Sequence, residues 1–354
     1  MPDPIPAVPF SIPGLSNRAS AGSVGGASGR LAFDRVGRAG SFLLCFAGSR
    51  GGFGDFAIVP EYGTSPMARK ARSREAALSR GITSKLLAID LLAIEGRTMA
   101  RVFITGSSTG LVLMAGQLLA GQGHRVVLHA RNQARAADIR KALPRADDVV
   151  IGDISTLAGM HAVVEQANRL GRFDAVIHNA AAGYREQRIE TADGLPHVFA
   201  VNTLAPYVLT ALLERPDRLV YLGSGMHHGA SAHLDDLAWN RRRWSGSQAY
   251  AESKLHDVML AFAVARRWPG VRSNAVEPGW VATRMGGPGA PDDLDQGHRT
   301  QAWLAVGDDA AARVSGEYFY HLRGRAPNPS ARDAALQDRL IEACARLSGV
   351  VLQG

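Results

Sequence analysis

From residue 101 onward, short apolar runs alternate with longer amphipathic stretches, and that alternation leaves few folds open. The runs are 101–105, 125–130, 148–152, 173–180, 218–224 and 271–278, with a late GEYFYH at 316–321. Helical spacing falls between them, at 110–122, 132–142, 156–170, 194–214 and 247–268. Near-continuous Val/Ile/Leu strands separated by helices predict a parallel sheet covered on both faces. The expected architecture is a Rossmann-type, doubly wound α/β domain of about seven strands, with ligands at the carboxyl ends of the strands. In the stretch 193–199, Asp193 is expected near a helix cap and Pro196 in the first turn, where its missing N–H costs little.

Residues 1–98 read differently. They are Gly/Ser-rich at 16–30 and 47–56, and only 73–97 has helical spacing. Such a segment buries too little apolar surface to offset its ordering entropy, so a disordered extension is expected. A targeting sequence is one reading, although its seven acids weigh against it. The favoured reading begins the domain at Met99, the catalytic unit running over 99–350, with 1–98 as upstream sequence.

The formal charge of +8 is concentrated in that first part, +5 over 1–98 against +3 over the rest. A nearly balanced body lacks the clustered cations of a nucleic-acid footprint. Arginine-rich 69–80 is the only stretch favouring one, and the RRR at 241–243 is expected to be a solvated face. No apolar run approaches membrane-spanning length. Two cysteines far apart, Cys45 and Cys344, make neither a disulfide framework nor a metal motif, which points to a reducing, cytoplasmic setting. His227, His228 and His233 lack partners at ligand spacing, so no metal is expected.

The first strand runs into Thr105-Gly106, and Gly110 opens a helix. Glycines at such a turn let backbone N–H groups approach a pyrophosphate at a helix N-terminus. The second strand ends in LHARN, with Arg131 where an NAD-preferring chain usually carries an acid. A guanidinium there suits a 2′-phosphate, so NADP(H) is expected ahead of NAD(H); the alternative is a solvated arginine at a helix start. Asp153, after the third strand, is read either as an acceptor for the adenine amine or as a cap for the helix at 156–170. Tyr250 and Lys254 lie four apart on one helical face, in a chain with only four lysines. An ammonium beside a phenol favours phenolate and lowers its pKa, as proton transfer requires.

Taken together, the motifs make 99–350 resemble the short-chain dehydrogenase/reductases. They are Thr105-Gly106-x-x-x-Gly110, HNAA at 178–181, Asn202 in AVNTLAPY, Ser224, Tyr250-x-x-x-Lys254 and Pro278-Gly279. The long interval between Ser224 and Tyr250 looks like the insert of the retinol-dehydrogenase-like branch. The resemblance implies Tyr250 as acid/base, Ser224 as a hydrogen-bonding partner of the substrate oxygen, and Lys254 as holder of the nicotinamide ribose. It implies that Asn202 supports a water chain; an amide satisfying a distorted helix is a compatible reading. It assigns cofactor contacts to Thr105, Gly106, Ser107, Ser108, Gly110, Leu111, Arg131, Asp153 and Ile154. Asn179, Ala180, Ala181, Tyr250, Lys254, Pro278, Gly279, Val281 and Thr283 complete that set.

Val112 stands where the family carries a third glycine, and His178 where it carries asparagine. A β-branched residue there is expected to crowd the strand or the cofactor, so Val112→Gly is expected to tighten NADP(H) binding. The reading that follows is an NADP(H)-dependent oxidoreductase interconverting a carbonyl and an alcohol on an apolar small molecule. The alternatives are a nucleotide-binding regulatory relative with weak or no turnover and, disfavoured by the Gly106–Gly110 interval, an epimerase or dehydratase. The Gly/Pro/Asp-rich 284–298 is expected to form a mobile lid or a surface loop. Trp244, Trp280 and Trp303 are read as either substrate-side or core residues. The family commonly forms dimers or tetramers, so a homo-oligomer is compatible with this chain.

Overall fold

The computed structural model describes residues 99–106 and 109–354. The expectations for 1–98, including the helical spacing at 73–97 and Cys45, and those for Ser107 and Ser108 lie outside the described residues. The described part belongs to one compact unit, Ala88–Gly354.

The strands are β1 (Arg101–Thr105), β2 (Arg125–Ala130), β3 (Asp148–Ile151), β4 (Ala175–His178), β5 (Arg218–Leu222), β6 (Arg272–Glu277), β7 (Tyr318–Tyr320) and β8 (Arg323–Gly324). Their order is β3-β2-β1-β4-β5-β6-β7-β8, parallel throughout except for the last pair. The eighth strand is an addition to the seven expected. It turns back through His321 and Leu322, both at positive φ, the geometry of a tight two-residue hairpin.

Both faces are covered, as Val/Ile/Leu-rich parallel strands require. One face carries α1 (Leu111–Gly121), α2 (Gln133–Ala142) and α7 (Gln296–Val306), packed on Val102, Ile104, Leu128 and Val276. The other carries α3 (Leu157–Arg169), α5 (Ala205–Leu212), α6 (Gly246–Arg267) and α8 (Ala334–Ser348), packed on Phe103, Val127, Val176 and Leu219. Helices α7 and α8 fall outside the helical spans expected from sequence.

Two expectations about helix starts are corrected. The span 194–214 is not one helix. It runs as a single turn, α4 (His197–Phe199), a π-helical segment Ala200–Leu204, and then α5. Asp193 caps a different helix: its carboxylate accepts the Leu157 N–H at the start of α3, 2.8 Å away. Asp153 is not the cap of α3 either, because the Thr156 hydroxyl accepts from Gly159 N–H there.

Strand order reverses between β1, paired with β2 on one side, and β4 on the other. That reversal opens a crevice beyond the strand ends.

Candidate active site

A cavity of about 640 Å³ occupies that crevice. Of the expected residues it is lined by Gly106, Gly110, Leu111, Arg131, Asp153, Ile154, Asn179, Ala180, Ala181, Tyr250, Lys254, Pro278 and Thr283. Three others, Thr105, Gly279 and Val281, stand behind the wall as supports. Thr105 is buried, and its hydroxyl accepts the N–H groups of Asn179 (3.1 Å) and Ala180 (3.2 Å), tying the loop after β4 to the end of β1. Gly279 has φ of 84°, and a Cβ there would meet the Asp292 carboxylate at 2.6 Å. Trp280 N–H donates to the same carboxylate, and buried Val281 bridges Asp292.

Asn202 lies in the π-helical segment, fully buried. Its amide oxygen accepts Ala182 N–H at 2.7 Å, and its NH₂ donates to Ala182 C=O and to Ser253 Oγ. The amide thus splices the distorted helix to the loop after β4 and to α6.

Val112 is 3% exposed, packs in the core at the start of α1, and also lines the cavity. A Cβ on Gly106 would lie 2.6 Å from its Cγ2, so Gly106 supplies the room that Val112 occupies. His178 is buried at the end of β4 against Thr210 and Tyr221, away from the cavity.

Several lining residues escaped the sequence reading. His129, on β2, is buried; its Nδ1 accepts Gly106 N–H at 3.3 Å and its Nε2 donates to Gly152 C=O at 2.8 Å. Burial lowers its pKa, keeping the imidazole neutral as that pairing requires. A short polar residue at the end of β2 gave no motif signal. Arg135, four residues after Arg131, also lines the cavity. Around Tyr250 the wall is Ala182, Gly183, Tyr184, Arg185, Glu186, His197, Val201 and Met285. Tyr184 meets the Tyr250 ring edge-on at 6.0 Å, and Glu186 bonds His197 Nδ1 at 2.7 Å.

Of the 284–298 stretch, Arg284 and Met285 line the cavity. The backbone there is fastened by Trp280 Nε1–H to Gly286 C=O and by Gly286 N–H to the Thr283 hydroxyl, and α7 begins at Gln296. Trp280 is exposed, Trp303 packs on Phe319 across the sheet, and Trp244 packs on Trp239. None of the three lines the cavity.

Tyr250 and Lys254 project from α6, both nearly fully buried. Lys254 Nζ lies 5.7 Å from the Tyr250 ring centre. The Ser224 hydroxyl, at the end of β5, is within hydrogen-bonding reach of the phenol. Burial raises the Tyr250 pKa, and the pull of Lys254 and Ser224 only partly offsets it. The lowered value expected from the spacing is therefore not the net result. Lys254 is held as ammonium: burial would lower its pKa, but Asp257 and Tyr250 raise it further.

A dinucleotide fits this lining. Gly106 and Gly110, both at positive φ, present bare backbone to the cavity, and the buried Asn179 Oδ1 in its wall has no hydrogen-bond partner. Among the described residues no helix is long and apolar enough to cross a membrane.

Comparison with known proteins agrees with the geometry. Residues 106–318 match the family described as enoyl-(acyl carrier protein) reductase. An uncharacterized oxidoreductase of Emericella nidulans is 45% identical over 262 residues, covering 72% of this chain and all of that protein. Human retinol dehydrogenase 13 is 30% identical over 295 residues, covering 73% of this chain and 86% of that protein. The crystal structure of an uncharacterized protein from Mycobacterium paratuberculosis superposes with a TM-score of 0.64 at 23% identity, covering 74% of this chain and 98% of that one. With this match in sequence and fold around a buried Tyr–Lys pair, the chain belongs to the short-chain dehydrogenase/reductases, in their retinol-dehydrogenase-like branch, and is an oxidoreductase of CH–OH groups using a nicotinamide cofactor.

Proposed function

We propose that the protein interconverts a carbonyl and an alcohol on an apolar small molecule, with NADP(H) as cofactor and Tyr250 as the acid/base. The observation that carries the reading is the buried Tyr250–Lys254 pair on the cavity wall, with Ser224 in reach of the phenol. Bound there, the cofactor supplies or accepts the hydride. In reduction Tyr250 gives its phenolic proton to the carbonyl oxygen; in oxidation it takes the proton from the alcohol. The Ser224 hydroxyl donates to the same oxygen as negative charge develops. Lys254 stabilises the phenolate left behind and has an N–H for the ribose.

The NADP(H) preference rests on Arg131 and Arg135, two guanidiniums on the cavity wall, the second paired with Asp138 at 3.2 Å. Asp153 also lines the cavity, and its Oδ1 already accepts Ser155 N–H at 3.0 Å. Guanidinium forks match phosphate geometry. Residues 99–350 are proposed as the catalytic unit.

The test uses the full chain. NADPH and NADH affinities are measured by fluorescence, and turnover is followed on a panel of aldehydes, ketones and alcohols. NADPH is expected to bind at least about tenfold tighter than NADH, with most of that gap lost in Arg131→Ala/Arg135→Ala. Tyr250→Phe is expected to keep NADPH binding and lose turnover by about a hundredfold or more. Equal affinity for the two cofactors would refute the arginine assignment, and a fully active Tyr250→Phe would refute the tyrosine mechanism.

A further inference from the structure

One turn beyond Lys254 on α6 lies a carboxylate that the proton-transfer scheme above does not use. Asp257 is as buried as the lysine, each side chain 3% exposed, and its Oδ2 is 2.8 Å from Lys254 Nζ. The ammonium also donates to Leu222 C=O at 2.7 Å. An ammonium has three donors, so two are committed to the protein and one is left toward the cavity. The other carboxylate oxygen, Asp257 Oδ1, is buried without a hydrogen-bond partner.

We infer that Asp257 is the counter-ion of Lys254, a positioning residue that aims the ammonium and sets how much of its charge reaches the Tyr250 hydroxyl. The carboxylate touches no reacting atom and acts through the lysine. Coulomb's law gives the direction: a negative charge on the far side of the ammonium subtracts from the field that favours phenolate at Tyr250. While Asp257 is ionised, Lys254 and Asp257 together present a dipole to the phenol rather than a full positive charge.

The neighbouring groups leave this pair in control. Tyr221 of β5 faces Asp257, and its phenol is held neutral by burial. Tyr250 is faced by Lys254 and Asp257 from α6, by Ser224 after β5, and by Tyr184 after β4. Tyr318 of β7 also senses Tyr250, and its phenol is raised by burial and by Glu277 of β6. Lys254 is thus the cation among these groups. Burial raises the Asp257 pKa to about 7 against the pull of Lys254, so the counter-ion can itself change charge near neutral pH.

The inference rests on Tyr250 as the acid/base, and its test needs neither cofactor nor substrate, so it fails independently of the NADP(H) and substrate assignments. Phenolate absorbance is titrated in the unliganded protein, with Tyr250→Phe subtracted to isolate Tyr250, in the wild type and in Asp257→Asn. The asparagine is nearly isosteric and still accepts the Nζ–H. Its phenolate midpoint is expected to fall by about one pH unit, and Asp257→Glu is expected to restore most of the wild-type value. An unchanged or higher midpoint in Asp257→Asn would overturn the inference. The same coupling is read from the other side by ¹³C NMR of the Asp257 carboxyl in Lys254→Met. Its titration is expected to move up by about one pH unit or more, and a carboxyl indifferent to the lysine would also overturn the assignment. That second measurement stands if Asp257→Asn does not fold.

Discussion

At the scale of single residues, Val112 shows how one departure from a motif is absorbed by its neighbour. Its Cγ2 fills the space in which a Cβ on Gly106 would sit, and the rest of the side chain is buried in the core under α1. A glycine at 112 therefore removes packing and adds a helix-propensity cost, a stability effect separate from the expected gain in cofactor affinity. Val112→Ala is expected to cost about 2 kcal/mol in urea unfolding while leaving NADPH affinity within a few-fold. A large gain in affinity would return the valine to the role of obstacle. Tyr250 and Lys254 were legible because a four-residue spacing on a helix forces a shared face. Asp257 was not, since an acid on that helix has no meaning until packing against β5 buries it beside Lys254. Thr105 and His129 are similar: their roles depend on strands that pair far apart in sequence.

Elements follow the same rule, with local signals readable and long-range closure hidden. The alternating runs placed β1 to β7 and most helices between them, α7 excepted, since strand and helix periods differ along the chain itself. β8 was missed because its hairpin turns through His321-Leu322, without the Asn-Gly signature of such turns. The insert between β5 and α6 was read in RRR as a solvated face, and Arg242 contradicts that. Its side chain is 22% exposed, it bonds the buried Glu252 and Asp236, and its guanidinium stacks 4.0 Å over Trp239. Arg241 and Arg243 on either side are exposed as expected. Glu252 lies two residues after Tyr250, so this one arginine fastens the insert to the catalytic helix. Arg242→Met strands two buried carboxylates and is expected to cost about 3 kcal/mol or more. Urea unfolding checks the cost; a loss below about 1 kcal/mol would mean that the carboxylates find water instead.

Across the whole molecule, buried imidazoles tie stability to pH. Burial lowers His178 to about 3 and both His227 and His256 to about 4. Two are held by hydrogen bonds suited to a neutral ring: His227 donates from Nδ1 to Ser224 C=O and accepts Asn328 N–H, and His256 donates from Nε2 to Ala232 C=O. The unfolded chain protonates these rings below pH about 6.5, whereas the folded chain does not until much lower pH. Unfolding therefore takes up protons, and stability that is fully present above pH 6.5 is lost as the pH falls toward 4. Asp257 acts in the opposite sense, because burial raises it to about 7 and the folded state binds its proton first. Three histidines against one carboxylate leave a net uptake of about two protons near pH 5, roughly 2.7 kcal/mol per pH unit. His129 and His298, also lowered by burial, steepen the same slope. The urea midpoint is expected to be nearly flat above pH 7 and to drop steeply between pH 6 and 4.5. A midpoint unchanged down to pH 4.5 would mean that these rings are already protonated in the folded protein, which their burial and pairing contradict.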